Sequence, residues 1–199
     1  VVIGGDDDDY GSLNSLERYD PSTNEWEEEA VAPMPTARRY VGAAVLDGKL
    51  YAVGGMSGAD EAPSNSVERY DLATKSWEAV APLAAARFSH AVAVLDGKLY
   101  AVGGYDGGNL SSVELYDPAA DAWEEVAPMA TARDYHGVAV LDGKLYAVGG
   151  YDSGALSSVE RYDPATNAWE AVAPMAAARY EPAAAVLDGR LSAVGGSSL

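Results

Sequence analysis

The sequence contains no cysteine, which excludes a disulfide framework, a thiolate metal site and a cysteine nucleophile together. It has no run near the roughly 18 consecutive apolar residues that a bilayer-spanning helix requires, and Val1 to Gly5 lack the charged-then-apolar pattern of a secretion signal. An initiating methionine is also missing, and the chain starts inside a strand pattern, which suggests an excised fragment or a processed chain. Basic residues are scarce: 13 Lys and Arg face 31 Asp and Glu in 199 residues, a formal net charge of −18. Nucleic-acid binding proteins gain affinity by neutralising phosphates, and anionic membranes attract basic segments, so neither partner is expected here. A basic partner is the electrostatically favoured kind, although acidity also serves simply to keep a repetitive β protein dispersed. Helical spacing is nowhere sustained. No Gly-rich phosphate loop precedes a helix, and no Ser-His-Asp arrangement stands out. With 48% apolar and 22% charged residues the chain is nonetheless globular, long enough for one domain with a sizeable core. Nothing in it addresses a compartment; a cytoplasmic location is expected if the protein is natural.

What the chain does have is internal repetition. Gly-Gly pairs begin at Gly4, Gly54, Gly103, Gly149 and Gly195, at spacings of 50, 49, 46 and 46. In the same register stand Trp26, Trp77, Trp123 and Trp169, the tyrosines of Tyr-Asp pairs at Tyr19, Tyr70, Tyr116 and Tyr162, and the arginines Arg38, Arg87, Arg133 and Arg179. Within one period, His90 to Leu95 and Leu99 to Val102 flank Asp96-Gly97-Lys98, a hairpin whose turn needs the positive φ that Asp-Gly tolerates. Ser112 to Tyr116 and Trp123 to Val126 follow, bounded by Asp117-Pro118 and Ala127-Pro128. Each period thus carries four short antiparallel strands, a, b, c and d. Such a unit cannot bury both faces alone, and stacking units about an axis is the closed solution.

The order of Arg, apolar strand, Asp-Gly-Lys-Leu-Tyr-Ala-Val-Gly-Gly, Ser-Val-Glu-Arg-Tyr-Asp, Trp and Val-Ala-Pro-Met resembles the kelch repeat over essentially the whole chain. The resemblance implies an all-β kelch-type β-propeller, here of four blades. Its ring would close by pairing the last a strand with the first c and d strands. Residues 1–199 form a single domain on this reading. Repeat units run at about 1–37, 38–86, 87–132 and 133–178, with 179–199 completing the first blade. Counting gives one strand too many, because Val1-Val2-Ile3 and Leu191 to Val194 both compete for a b position, and Ser192 departs from Tyr51, Tyr100 and Tyr146. A closed monomer is favoured, with a swapped dimer as the rival. Three identical copies of AVLDGKLYAVGG point to recent duplication or a consensus-like, engineered origin.

Residues shared by all copies are expected to be structural: Gly54, Gly55, Gly103, Gly104, Gly149 and Gly150, the four tryptophans packed between blades, the four tyrosines and the four arginines. Function is expected where copies differ. They differ in the b–c connection, where the count from the first Gly to the Tyr-Asp tyrosine runs 15, 16, 13 and 13, and in the start of strand a. Both connections emerge on one face of an antiparallel blade. The candidate partner-binding residues there are Arg39, Tyr40, Phe88, His90, Tyr105, Asp134, Tyr135, His136, Tyr151, Tyr180 and Glu181, since aromatics beside charge are typical of protein hot spots. Resemblance to the substrate-adaptor kelch domains implies a non-enzymatic scaffold binding a peptide or protein. No cofactor is expected. The acidic run Asp6 to Asp9 lacks the calcium-loop spacing, and His90 with His136 are too few for a closed zinc site without added carboxylates. A copper oxidase of kelch type would need a cysteine. The rival readings are a structural or engineered propeller without a ligand, and a sugar, metal or other small-molecule pocket at the channel mouth.

Overall fold

The computed structural model describes residues 1–7, 11–27, 31–57 and 62–198. The N-terminal sheet has three strands, β1 (Val2–Ile3), β4 (Leu16–Asp20) and β5 (Glu25–Glu27), with a short hairpin, β2 (Asp6–Asp7) and β3 (Gly11–Ser12), inside its b–c connection. The second sheet comprises β6 (Gly42–Leu46), β7 (Lys49–Val53), β10 (Val67–Asp71) and β11 (Ser76–Val80), again with a small hairpin, β8 (Met56–Ser57) and β9 (Ala62–Pro63). The third holds β12 (Ala91–Leu95), β13 (Lys98–Val102), β14 (Val113–Asp117) and β15 (Ala122–Val126). The fourth holds β16 (Gly137–Leu141), β17 (Lys144–Val148), β18 (Val159–Asp163) and β19 (Ala168–Val172). β20 (Ala183–Leu187) and β21 (Arg190–Val194) form a C-terminal hairpin. All pairings are antiparallel, and the a, b, c, d order repeats in each of the three complete sheets.

Strand b explains how the sheets stack. Its sequence, Lys-Leu-Tyr-Ala-Val, is nearly all apolar because alternate residues face opposite sides and both sides are covered. In β7, Ala52 packs in a cluster with Leu16, Val31, Met34 and Tyr70, toward the N-terminal sheet. Tyr51 and Val53 face the other way and join Leu83, Leu99, Ala101 and Tyr116. The third sheet repeats this, with Tyr100 and Val102 meeting Leu145, Ala147 and Tyr162 of the fourth. Each b-strand side chain buried this way contributes about 1.5–3 kcal/mol before entropy is charged against it.

The turns and glycines follow the same local logic. Asp96 and Gly97 both adopt positive φ, 51° and 71°, the geometry of a two-residue hairpin turn whose twist matches the flanking strands. Gly104 has φ 101°, and a Cβ there would lie 2.8 Å from the Phe88 carbonyl oxygen and 2.7 Å from the His90 Cβ, so only glycine permits the approach.

Among the described residues the expected pairing of the C-terminal a strand with the N-terminal c and d strands is not formed. β20 pairs only with β21, and β1 holds the b position beside β4 in the register Val2↔Glu17 and Ile3↔Leu16. The position that β21 would need is therefore taken. The two ends of the stack carry the consequences: Val194 and Leu187 are 61% and 68% exposed, and Ser192 sits where the tyrosines of earlier copies reach into the following sheet. Trp26, expected to be packed between blades, is 54% exposed, and among the described residues no other sheet packs against it.

Candidate binding face

Each arginine of the repeat lies at the end of the d–a connection and turns inward. Arg87 is fully buried; it donates to the Gly103 carbonyl at 2.8 Å, the Ser112 carbonyl at 3.2 Å and the Glu114 carboxylate at 2.6 Å. Glu114 in turn accepts from the Ala84 and Ala85 backbone N–H groups at 2.6 and 3.1 Å. Arg133 and Glu160 reproduce the pair at 2.6 Å, while Arg38 and Glu68 stand 3.5 Å apart. Arg179 is half-buried and donates to the Gly195 carbonyl. Sequence reasoning gave the glutamates no role, although their recurrence as Glu17, Glu68, Glu114 and Glu160 in the arginine's register was the available signal. Neighbouring sheets are stitched by indole N–H bonds from Trp77, Trp123 and Trp169 to the carbonyls of Ala32, Ala81 and Ala127 at 2.8, 2.9 and 2.9 Å.

With its arginine anchored, the chain immediately beyond forms a rim. Arg39 bridges Met56, Phe88 bridges Tyr105, Asp134 bridges Tyr151 and Tyr180 bridges Ser197, so the end of each d–a connection is zipped to the chain just beyond the b strand of its own repeat. The next residue, Tyr40, Ser89, Tyr135 or Glu181, is left-handed in every copy, with φ of 52°, 51°, 49° and 55°. These four form a backbone chain across the sheets: Ser89 N–H donates to the Tyr40 carbonyl at 3.2 Å, Tyr135 to Ser89 at 2.9 Å and Glu181 to Tyr135 at 2.7 Å. Non-glycine residues held at positive φ cost about 1–3 kcal/mol each and cluster at functional sites.

The rim brings together most of the residues singled out above. Tyr40 lies 5.9 Å from both Phe88 and Tyr135, Phe88 lies 5.4 Å from Tyr105, and Tyr151 lies 6.3 Å from Tyr180, ring centre to ring centre. Arg39 is engaged with Asp6 at 3.0 Å and lies over the Tyr40 ring. A cavity of about 370 Å³ opens between Tyr40, Ser89, His90, Tyr135, His136 and Glu181. His90 and His136 are not surface contacts: both are buried, no ring nitrogen of either makes a hydrogen bond of standard geometry, and desolvation, with Arg87 and Arg133 nearby, drives each down to about 3. A looser polar contact with the Val53 backbone opposes this only weakly at His90. Asp134 is buried too, and desolvation followed by the like charges of Asp152 and Glu181 pushes it up to about 6. Among the described residues no cluster of three or more His, Cys, Asp or Glu is placed to hold a metal ion; Asp8 and Asp9 of the acidic run lie outside them.

Comparison with known proteins gives the same repeat. A family described as the KLHDC2/KLHL20/DRC7 Kelch-repeats domain matches residues 1–132, and the Kelch motif matches residues 132–176. The chain is 37% identical over 83 residues to Kelch-like protein terF of Aspergillus terreus, a match covering 38% of this chain and 18% of that protein. It is 41% identical over 76 residues to mouse Kelch-like protein 40, covering 38% of this chain and 12% of the relative. The matches thus span less than a fifth of either relative's length. In three dimensions it resembles the structure of YjhT with a TM-score of 0.84 at 15% identity, covering 98% of this chain and 73% of the other, a likeness of fold. With the matched family spanning most of its length and the same sheet repeated through its structure, this chain belongs to the Kelch-repeat family.

Proposed function

We propose that the chain is a non-enzymatic scaffold that binds a peptide segment of a protein partner on the rim formed by the d–a and b–c connections. The observation that carries this reading is the left-handed backbone chain through Tyr40, Ser89, Tyr135 and Glu181, which holds the most variable residues of the repeat at one mouth. The shared arginines, glycines and tryptophans are engaged in holding the sheets together, which leaves the aromatic cluster of Tyr40, Phe88, Tyr105, Tyr135, Tyr151 and Tyr180 as contact surface. Arg39 and Glu181 add charge at its edge, with His90, His136 and Asp134 beneath. In this reading residues 1–199 act as one domain, and the sheets are propeller blades, four by count of the tryptophan and Tyr-Asp markers.

The test is a selection of short displayed peptides against the immobilised chain, repeated with Tyr135→Ala and Arg39→Ala. Face-directed binders lose most of their affinity in both variants while far-UV circular dichroism is unchanged. Binders indifferent to both substitutions would remove this reading, and the near-identical repeats would then favour a purely structural array.

A further inference from the structure

The cavity at the rim is unusual in what it offers. His90, His136 and Ser89 all line it, each more than nine-tenths buried; the ring nitrogens find no standard hydrogen bond, and the Ser89 hydroxyl has only a looser contact with the Tyr135 hydroxyl. Buried polar groups ordinarily have partners, so the lining is prepared for a polar guest. A neutral imidazole keeps one bare nitrogen as an acceptor, and the walls are completed by the Tyr40 and Tyr135 rings and the Glu181 carboxylate. Among the described residues no lysine or arginine lines the cavity.

Carboxylates stand around it as well. Asp134 is buried with an unpartnered carboxylate oxygen, and Asp152 and Glu181 are the like charges that act on it. Of the nearby cations, Arg87 is engaged with Glu114, Arg133 with Glu160 and Arg39 with Asp6, while Arg179 donates to the Gly195 carbonyl. Lys49, Lys98 and Lys144 sit at the a–b turns, at the opposite end of the strands, paired with Asp71, Asp117 and Asp163. At the aromatic mouth, Asp152 and Glu181 take part in no ion pair among the described residues.

We propose that this cavity receives a single cationic side chain of the partner, a lysine ammonium or an arginine guanidinium, held between the Tyr40 and Tyr135 rings, the Glu181 carboxylate and the histidine acceptors. The inference rests on the peptide-binding reading above and names the chemistry of that peptide. Aromatic faces and a carboxylate favour a cation, and such a guest supplies the donors that the orphaned acceptors lack. A net charge of −18 steers it there.

The experiment exploits the fact that the chain has two histidines. Butylguanidinium and butylammonium are titrated into the protein while the ring C–H resonances of His90 and His136 are followed, with butyrate and glucose as controls. The expected result is saturable movement of both histidine signals by the two cations alone, with affinity about fivefold weaker in Glu181→Gln. Movement by glucose but by neither cation overturns the proposal in favour of a polyol pocket, and silence to all four probes overturns it outright. The displayed-peptide selection separates this from the broader reading. Rim-dependent peptides that need no Lys or Arg defeat the cationic guest and leave peptide binding standing, whereas rim-independent binders defeat peptide binding at this face.

Discussion

Replacing Glu114 by Gln removes one charge from a pair in which neither side chain is more than 1% exposed, leaving the Arg87 guanidinium buried without its counter-ion. Breaking a buried pair in this way costs about 3–5 kcal/mol, most of it the desolvation of the stranded partner. With a urea dependence of about 2 kcal/mol per molar, the unfolding midpoint drops by about 2 M. Glu160→Gln behaves alike, because its pair has the same 2.6 Å geometry and the same two backbone donors, here Ala130 and Thr131. Glu68→Gln costs about half as much, since its ion pair is 3.5 Å long and its carboxylate is also held by the Thr36 hydroxyl at 2.6 Å. Glu17→Gln, at the same repeat position but exposed and without a preceding arginine, changes the midpoint by about 0.2 M at most. In a double-mutant cycle with Arg87→Met, the Arg87–Glu114 pair couples by about 2 kcal/mol or more. Equal effects at the four glutamates, or a loss of under about 1 kcal/mol at Glu114, would refute the claim that this pair anchors the d–a connection.

Acid should weaken the fold before the exposed carboxylates titrate. His90 and His136 are held near 3, below the ordinary 6.5, so the unfolded chain takes up their protons first. Stability is present above about pH 6.5 and lost as pH falls toward 3, each histidine contributing about 1 kcal/mol per pH unit. Asp134, raised to about 6, works in the opposite sense between about 6 and 4 and offsets one of the two. Urea midpoints measured from pH 7 to pH 4 check this, and a flat profile would contradict the burial of the imidazoles. Gly104→Ala loses about 2 kcal/mol or more, because its Cβ meets the Phe88 carbonyl, whereas Gly97→Ala, in open space, loses about 1 kcal/mol from its positive φ alone; thermal melts distinguish the two. Light scattering reads the ends of the stack. A mass well above 20.7 kDa is expected if the exposed Val194 and Leu187 face of β20–β21 is covered by the N-terminal sheet of a second copy, and a strict monomer would mean that both ends tolerate water.

Most of the repeat was legible because local chemistry determines it. Asp-Gly fixes the hairpin turn wherever it occurs, prolines end strands c and d, and the alternation in Lys-Leu-Tyr-Ala-Val assigns faces before any partner is known. Strand direction alone assigned the variable positions to one face. Their depth was not legible: His90 and His136 look like surface residues beside Phe88 and Tyr135, yet both are buried, their rings lying close against Gly54 and Gly103 of the preceding sheet. The extra hairpins β2–β3 and β8–β9 were missed because two-residue strands leave no periodicity to read.

The sequence by itself determined the strand repeat, the turns and the apolar b strand, since each depends on residues a few positions apart. Only the tertiary structure decided which glutamate answers each arginine, that Tyr40, Ser89, Tyr135 and Glu181 join in one left-handed chain, and that the end strands stay unpaired across the stack. Those outcomes depend on where successive sheets meet in space, a geometry set by side-chain packing between repeats some 46 to 50 residues apart and written in no local pattern.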